Sequence, residues 1–121
     1  DKSSVIFCRL TYEAAAHAVA DILTTRPQTD AVIAGSYVLA IGALLECSRQ
    51  GIKVPARIAI AGFDDHELAA MLSPGITMID SPRVEMGRRA AHLLLEQIDG
   101  NPSSSQIVDI GFNLVKRGTT R

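Results

Sequence analysis

The chain has 121 residues, 47% of them hydrophobic and 21% charged, with a formal net charge of -1. That length holds one ordinary domain with a real core, or part of a larger one, and is short for two independent domains. The balance excludes a disordered polyelectrolyte and a surface that coats nucleic acid, so DNA binding is not expected of this chain by itself. Cys8 and Cys47 are far apart, with no C-x-x-C and no Cys/His cluster. A structural disulfide, a metal site and a bound cofactor therefore lack support, and reduced thiols in a cytoplasmic protein are the simpler reading. No apolar run approaches the roughly 18 residues of a membrane span. The start "DKSSVIFC" has neither the layout of a signal peptide nor a Met, which points to a piece of a longer chain.

Tyr12, Ala15, Ala16, Val19, Ile22 and Leu23 recur at helical spacing behind Thr11, a good N-cap, with Glu13 in the first turn. A helix over residues 12–24 follows. "DAVIAG" is a compact apolar run bounded by Asp30 and Gly35, the pattern of a strand buried on both faces. Ser36 is placed to cap a helix over 37–50 that Gly51 stops, and "RIAIAGF" supplies a second buried strand. Asp64 or Asp65 then opens a short helix reaching Leu72, and Pro74 and Gly75 break the chain ahead of the strand "ITMID". With Ser81 as cap and Pro82 at the first helical position, a helix runs to Asp99 and ends at Gly100, its buried stripe made by Val84, Gly87, Ala91, Leu94, Leu95 and Ile98. After "GNPSSS", the runs "QIVDI" and "FNLVKRG" read as strands interrupted by a bend or bulge at Gly111. Strands alternating with helices predict a doubly wound, mainly parallel α/β sheet with right-handed crossovers.

In such sheets ligands gather outside the carboxyl ends of the strands, where Asp64 and Ser81 fall. An ionised Asp there accepts hydrogen bonds from two hydroxyls or an amine, which suits a sugar-like or nucleobase-like effector. Spacing alone favours the plainer role, a helix cap made by Asp64 or Asp65. A glycosidase pair is weakly supported, because adjacent carboxylates project differently and that mechanism needs them roughly 5 to 10 Å apart across a sugar. His66 has no second His nearby and reads as a surface residue rather than a base or metal ligand; His17 and His92 read as helix-surface residues. Cys47 lies inside an apolar helix and reads as packing. Phosphate-loop, hydrolase-elbow and dinucleotide motifs are absent, so no catalytic residue is assigned.

The runs "LAIGALL", "GIKVPARIAIAGFDD", "LSPGITMIDSPRVEMGRRAAHLLL" and the ending "LVKRGTTR" closely resemble the C-terminal part of the LacI/GalR family of bacterial transcriptional regulators, over residues 30–121. The tail "IVDIGFNLVKRGTT" is most similar to the gluconate-repressor type. The resemblance implies part of a type I periplasmic-binding-protein-like core of two α/β subdomains, with the effector held in the cleft and DNA read by a helix-turn-helix outside this chain. Residues 1–81 would then be part of the C-terminal effector-binding subdomain. Residues 82–110 would be a crossover segment belonging to the N-terminal subdomain, and 111–121 a return strand.

Carried over by resemblance, the family's acidic effector ligand falls on Asp64 and a polar ligand ahead of a proline on Ser81. The family's hydroxyl-binding Asn-Asp pair falls on Ser36 and Tyr37, and a stacking aromatic falls near Leu10. All but Asp64 depart from the commonest family residue, which leaves the effector, a sugar or sugar acid, unspecified. Ser36 has the simple alternative of an N-cap only. The helix over 37–50 carries more apolar residues than one contact uses, and the family's dimer would absorb the surplus through Ile41, Leu44 and Leu72. The implied partners are a small-molecule effector, a second copy of the chain and operator DNA reached through the helix-turn-helix alone, with no membrane. A periplasmic sugar-binding protein of a transport system is the alternative on the same fold, and a small α/β enzyme a third.

Overall fold

The computed structural model describes residues 4–100 and 107–121. The described chain falls into two compact units, one made of Asp1–Asp80 with Leu114–Arg121, the other of Ser81–Asn113.

The first unit opens with α1 (Tyr12–Thr25), whose N-cap Thr11 accepts a hydrogen bond from the Ala14 amide at 3.2 Å. After β1 (Ala31–Ala34), Ser36 caps α2 (Tyr37–Arg49) in the same way, accepting from the Leu39 amide at 3.2 Å. Satisfying amides that have no partner inside the helix is what starts both elements where the sequence places them. The two helices pack closely at Gly42, where an added Cβ would meet the Ala15 Cβ at 2.8 Å. Strand β2 (Ala59–Phe63) pairs in parallel with β1, Ala31 opposite Ala59 and Ala34 opposite Gly62. Strand β3 (Thr77–Asp80) pairs in parallel with β2, Ala61 opposite Thr77. The order is β1-β2-β3-β4, with β4 (Asn113–Val115) last.

Ile58, Ile60, Ile76 and Met78 have no exposed surface and form the centre of the core, joined by Ile41, Leu44, Cys47 and Val19. β2 and β3 keep the buried face expected of parallel strands covered by helices, but β1 is not buried on both faces as its apolar run predicts: Ala31 is exposed and Ile33 is 80% exposed. Cys47 packs in the core as a free thiol, and burial raises its pKa. The C-terminal tail is stitched into the same unit by Thr119, itself fully buried. Its amide donates to the Gly75 carbonyl at 3.1 Å, its carbonyl accepts from the Ile60 amide at 3.0 Å, and its hydroxyl donates to the Ile60 carbonyl at 2.6 Å.

Four further local expectations change. The short helix, α3 (Glu67–Met71), begins later than Asp64 or Asp65, because His66 occupies the cap: its Nδ1 accepts from the Leu68 amide at 3.2 Å. In the second unit, α4 (Arg83–Ile98) has Pro82 rather than Ser81 at its N-cap, and no side chain bonds there, since proline offers no acceptor. No residue of α4 is buried, so Val84, Leu94, Leu95 and Ile98 of the expected stripe are exposed. The strand expected over "QIVDI" is not found. Gln106 lies outside the described residues, and 107–112 form no regular element. The chain bends there instead, with Gly111 at φ 71° and its amide donating to the Asp109 carboxylate at 2.8 Å.

Candidate functional site

The candidate site of the first unit stands at the carboxyl ends of β1 and β2. Asp64 follows β2 directly and has a left-handed backbone, φ 63°. A side chain other than glycine pays roughly 1 to 2 kcal/mol for that conformation, and Asp is among the few residues that visit it. Its carboxylate is half-buried, and no hydrogen bond from the chain engages it among the described residues. An acceptor held at a strand end and left free by its own chain is what a hydroxylated ligand needs.

Asp65 has a different task. Arg117, from the tail, donates to it through both terminal guanidinium nitrogens, Nη1 to Oδ1 at 2.8 Å and Nη2 to Oδ2 at 2.7 Å, and both side chains are mostly buried. The same guanidinium donates to the Ile76 carbonyl at 2.8 Å, and the His66 amide donates to Asp65 Oδ1 at 3.0 Å. The carboxylate raises the pKa of Arg117, as a bidentate charged pair must. Neither acidic residue is a helix cap, and the two are not equivalent.

Next to them, Tyr37 and His66 stack with ring centroids 4.5 Å apart and planes 10° from parallel. Because His66 Nδ1 accepts from Leu68, its proton sits on Nε2, which is left as a donor. Ser36 uses an oxygen lone pair in capping α2, which leaves its hydroxyl proton available. The structure thus brings Tyr37 beside the Asp64 segment through His66 and keeps Ser36 at the head of the same helix. Leu10 stands in the turn ahead of Thr11, 65% exposed. Ser81 is half-buried in the second unit, ahead of Pro82.

Sequence reasoning missed His66, taken for a plain surface residue, and Arg117. A His directly before Glu67 was a readable cap signal. The Asp65–Arg117 pair spans 52 positions and leaves no local signature.

The apolar surplus of α2 is largely absorbed inside the chain. Ile41 and Leu44 are 2% and 5% exposed, within the core that holds Ile58 and Met78, so unsatisfied apolar surface does not argue for them as subunit contacts. Leu72 is partly buried against that core, while Leu45 is half-exposed and Met71 largely so. A hollow of about 360 Å³ runs along β1 and α1, lined by Ile6, Cys8, Val19, Val32, Gly35 and Leu39 among others. Its lining is mixed, with Ser4, Arg26 and Thr29 among the apolar side chains, and it contains no carboxylate to accept from a ligand's hydroxyls. Among the described residues no group of His, Cys, Asp and Glu is disposed to hold a metal, and no helix is long and apolar enough to cross a membrane.

Residues 3–120 match the family model described as periplasmic binding protein-like domain. The HTH-type transcriptional repressor CytR of Escherichia coli (strain K12) is 41% identical over 113 residues, covering 92% of this chain and 33% of the relative. Among solved structures, the transcription regulator GntR from Chromobacterium violaceum superposes with a TM-score of 0.82 at 39% identity, over 91% of this chain and 41% of that one. A LacI family transcriptional regulator from Arthrobacter sp. FB24, in complex with lactose, gives a TM-score of 0.82 at 33% identity, over 96% and 44%. The chain spans about a third of the length of the curated relatives it matches. The match over residues 3–120 shows that the chain belongs to the periplasmic binding protein-like domain family, and the solved structures it resembles include LacI family transcriptional regulators.

Proposed function

We propose that this chain is the effector-sensing part of a bacterial LacI-type transcriptional regulator, and that Asp64 holds a hydroxyl-bearing effector, a sugar or sugar acid. One observation carries the reading: Asp64 is fixed at the end of β2, and among the described residues no hydrogen bond engages its carboxylate. The Ser36 hydroxyl and the Tyr37–His66 stack supply a donor and a flat apolar face beside it. Ser81 and Leu10 rest on the family resemblance alone; nothing in their own surroundings argues for them. The segment from Ser81 to Asn113 is assigned to the second subdomain of the intact protein, and operator binding to a helix-turn-helix outside this chain. The role is binding, not catalysis, and is exercised in the cytoplasm where operator DNA lies.

A relative named for its helix-turn-helix favours this reading over a transport protein on the same fold. The test is calorimetric titration of the full-length protein with lactose and D-gluconate, each with and without its operator. Saturable binding of one of them, with a changed operator affinity, supports the proposal. Sugar binding that leaves operator affinity untouched overturns it.

A further inference from the structure

The strained conformation of Asp64 needs a cause. A residue held at positive φ persists only where its surroundings over-determine it. On one side the restraint is β2, paired in parallel with both β1 and β3. On the other it is the very next residue. Asp65 is gripped by the Arg117 fork, and Arg117 is in turn fixed at its backbone, where its amide donates to the Thr77 hydroxyl at 2.9 Å. Two residues further on, the tail is buried at Thr119 between β2 and β3. The peptide joining residues 64 and 65 is therefore clamped between a sheet and a charged pair, both part of one unit.

We infer that Arg117 is a positioning residue for the effector: acting through Asp65, it holds Asp64 in the left-handed conformation that aims its carboxylate at the ligand. This rests on the reading of Asp64 as the effector contact. The mostly buried ion pair is then more than a fastening for the C-terminal tail: a pair whose net stability is small after desolvation can still fix one conformation of the segment it holds. Lysine cannot replace it. A single ammonium offers a point charge where the carboxylate plane is held by two parallel bonds.

The test is a double-mutant cycle in the full-length protein, read by calorimetry with lactose and D-gluconate and by thermal unfolding. Arg117→Lys keeps the charge, and so a folded chain, yet should weaken binding of the sugar that the wild type holds by about fivefold or more. In the Asp64→Ala background the same Arg117→Lys change should cost nothing further. Equal losses in both backgrounds would mean that Arg117 only supports the fold, which overturns the inference. The failure of the underlying reading looks different, because Asp64→Ala alone would then leave sugar affinity unchanged. Arg117→Met with Asp65→Asn removes both charges together and provides a second route if the single change unfolds the chain. A crystal structure of that pair should show Asp64 relaxed to negative φ, and one that keeps it at positive φ is a second way for the inference to fail.

Discussion

Asp64 sets function against stability at a single position. The left-handed backbone costs an L residue with a Cβ about 1 to 2 kcal/mol, whereas glycine adopts it without penalty. Asp64→Gly should therefore leave the chain as stable as wild type, or up to about 1 kcal/mol more stable once glycine's extra freedom in the unfolded state is counted, while abolishing effector response. Thermal unfolding beside a sugar titration checks both halves; a clear fall in unfolding temperature would show that the Asp64 side chain supports the fold after all. The position of this residue was legible in sequence, since "IAIAGF" announced a buried strand and the carboxylate after it had to lie at the strand's end. Its conformation was not. Arg117 grips the next residue, Asp65, from 52 positions away, and no local spacing records such a contact.

The helices were legible at their starts because capping is local chemistry. Thr11 and Ser36 hold the amides of Ala14 and Leu39 as their spacing implies. Where the local signal was ambiguous the reading slipped: two aspartates competed for the cap of α3, and tertiary pairing of Asp65 left the task to His66. "QIVDI" has the alternation of a strand, yet residues 107–112 bend at Gly111 instead. Strand propensity expresses itself only against a partner. At the end of α2, Glu46 accepts from both Arg49, at 2.6 and 2.7 Å, and Gln50, at 2.6 Å. These bonds pull its pKa from an ordinary 4.5 down to about 2. A carboxylate with a depressed pKa in the folded state contributes stability that is complete above its unfolded value and is lost as pH falls through the folded one. Wild type should thus lose this contribution between about pH 4.5 and 2. Glu46→Gln should flatten that acid limb, and an unaltered acid unfolding curve in the variant would show that the exposed Arg49 arm is too well solvated to matter.

At the scale of the whole molecule the fold class was the most readable feature, because alternating buried strands and amphipathic helices admit few other arrangements. Self-association was harder to read. The apolar run of α2 was too rich for one contact in sequence, but much of it is spent on the core: Ile41 and Leu44 are nearly wholly buried. The apolar surface left at this end of the unit is carried by Leu45, 50% exposed, and Met71, 79% exposed, beside a shallow hollow lined by Leu72, Ser73 and Pro74. A dimer of the full-length protein is proposed to close over these residues, and a two-fold contact would feel each substitution twice. Leu45→Asp should shift sedimentation of the full-length protein toward the monomer. If the variant sediments as the wild type does, the contact lies elsewhere.

What joins these scales is the assignment of Asp64 as the carboxylate that holds the effector, and the measurement closest to it is the sugar affinity of full-length Asp64→Ala. Losing a charged partner from a buried hydrogen bond typically costs on the order of 2 to 5 kcal/mol of binding. Calorimetry with the sugar bound by the wild type, lactose or D-gluconate, should therefore show affinity lowered by roughly 30-fold or more, with thermal unfolding little changed. An affinity equal to that of wild type in a folded variant would contradict the assignment and place the effector elsewhere.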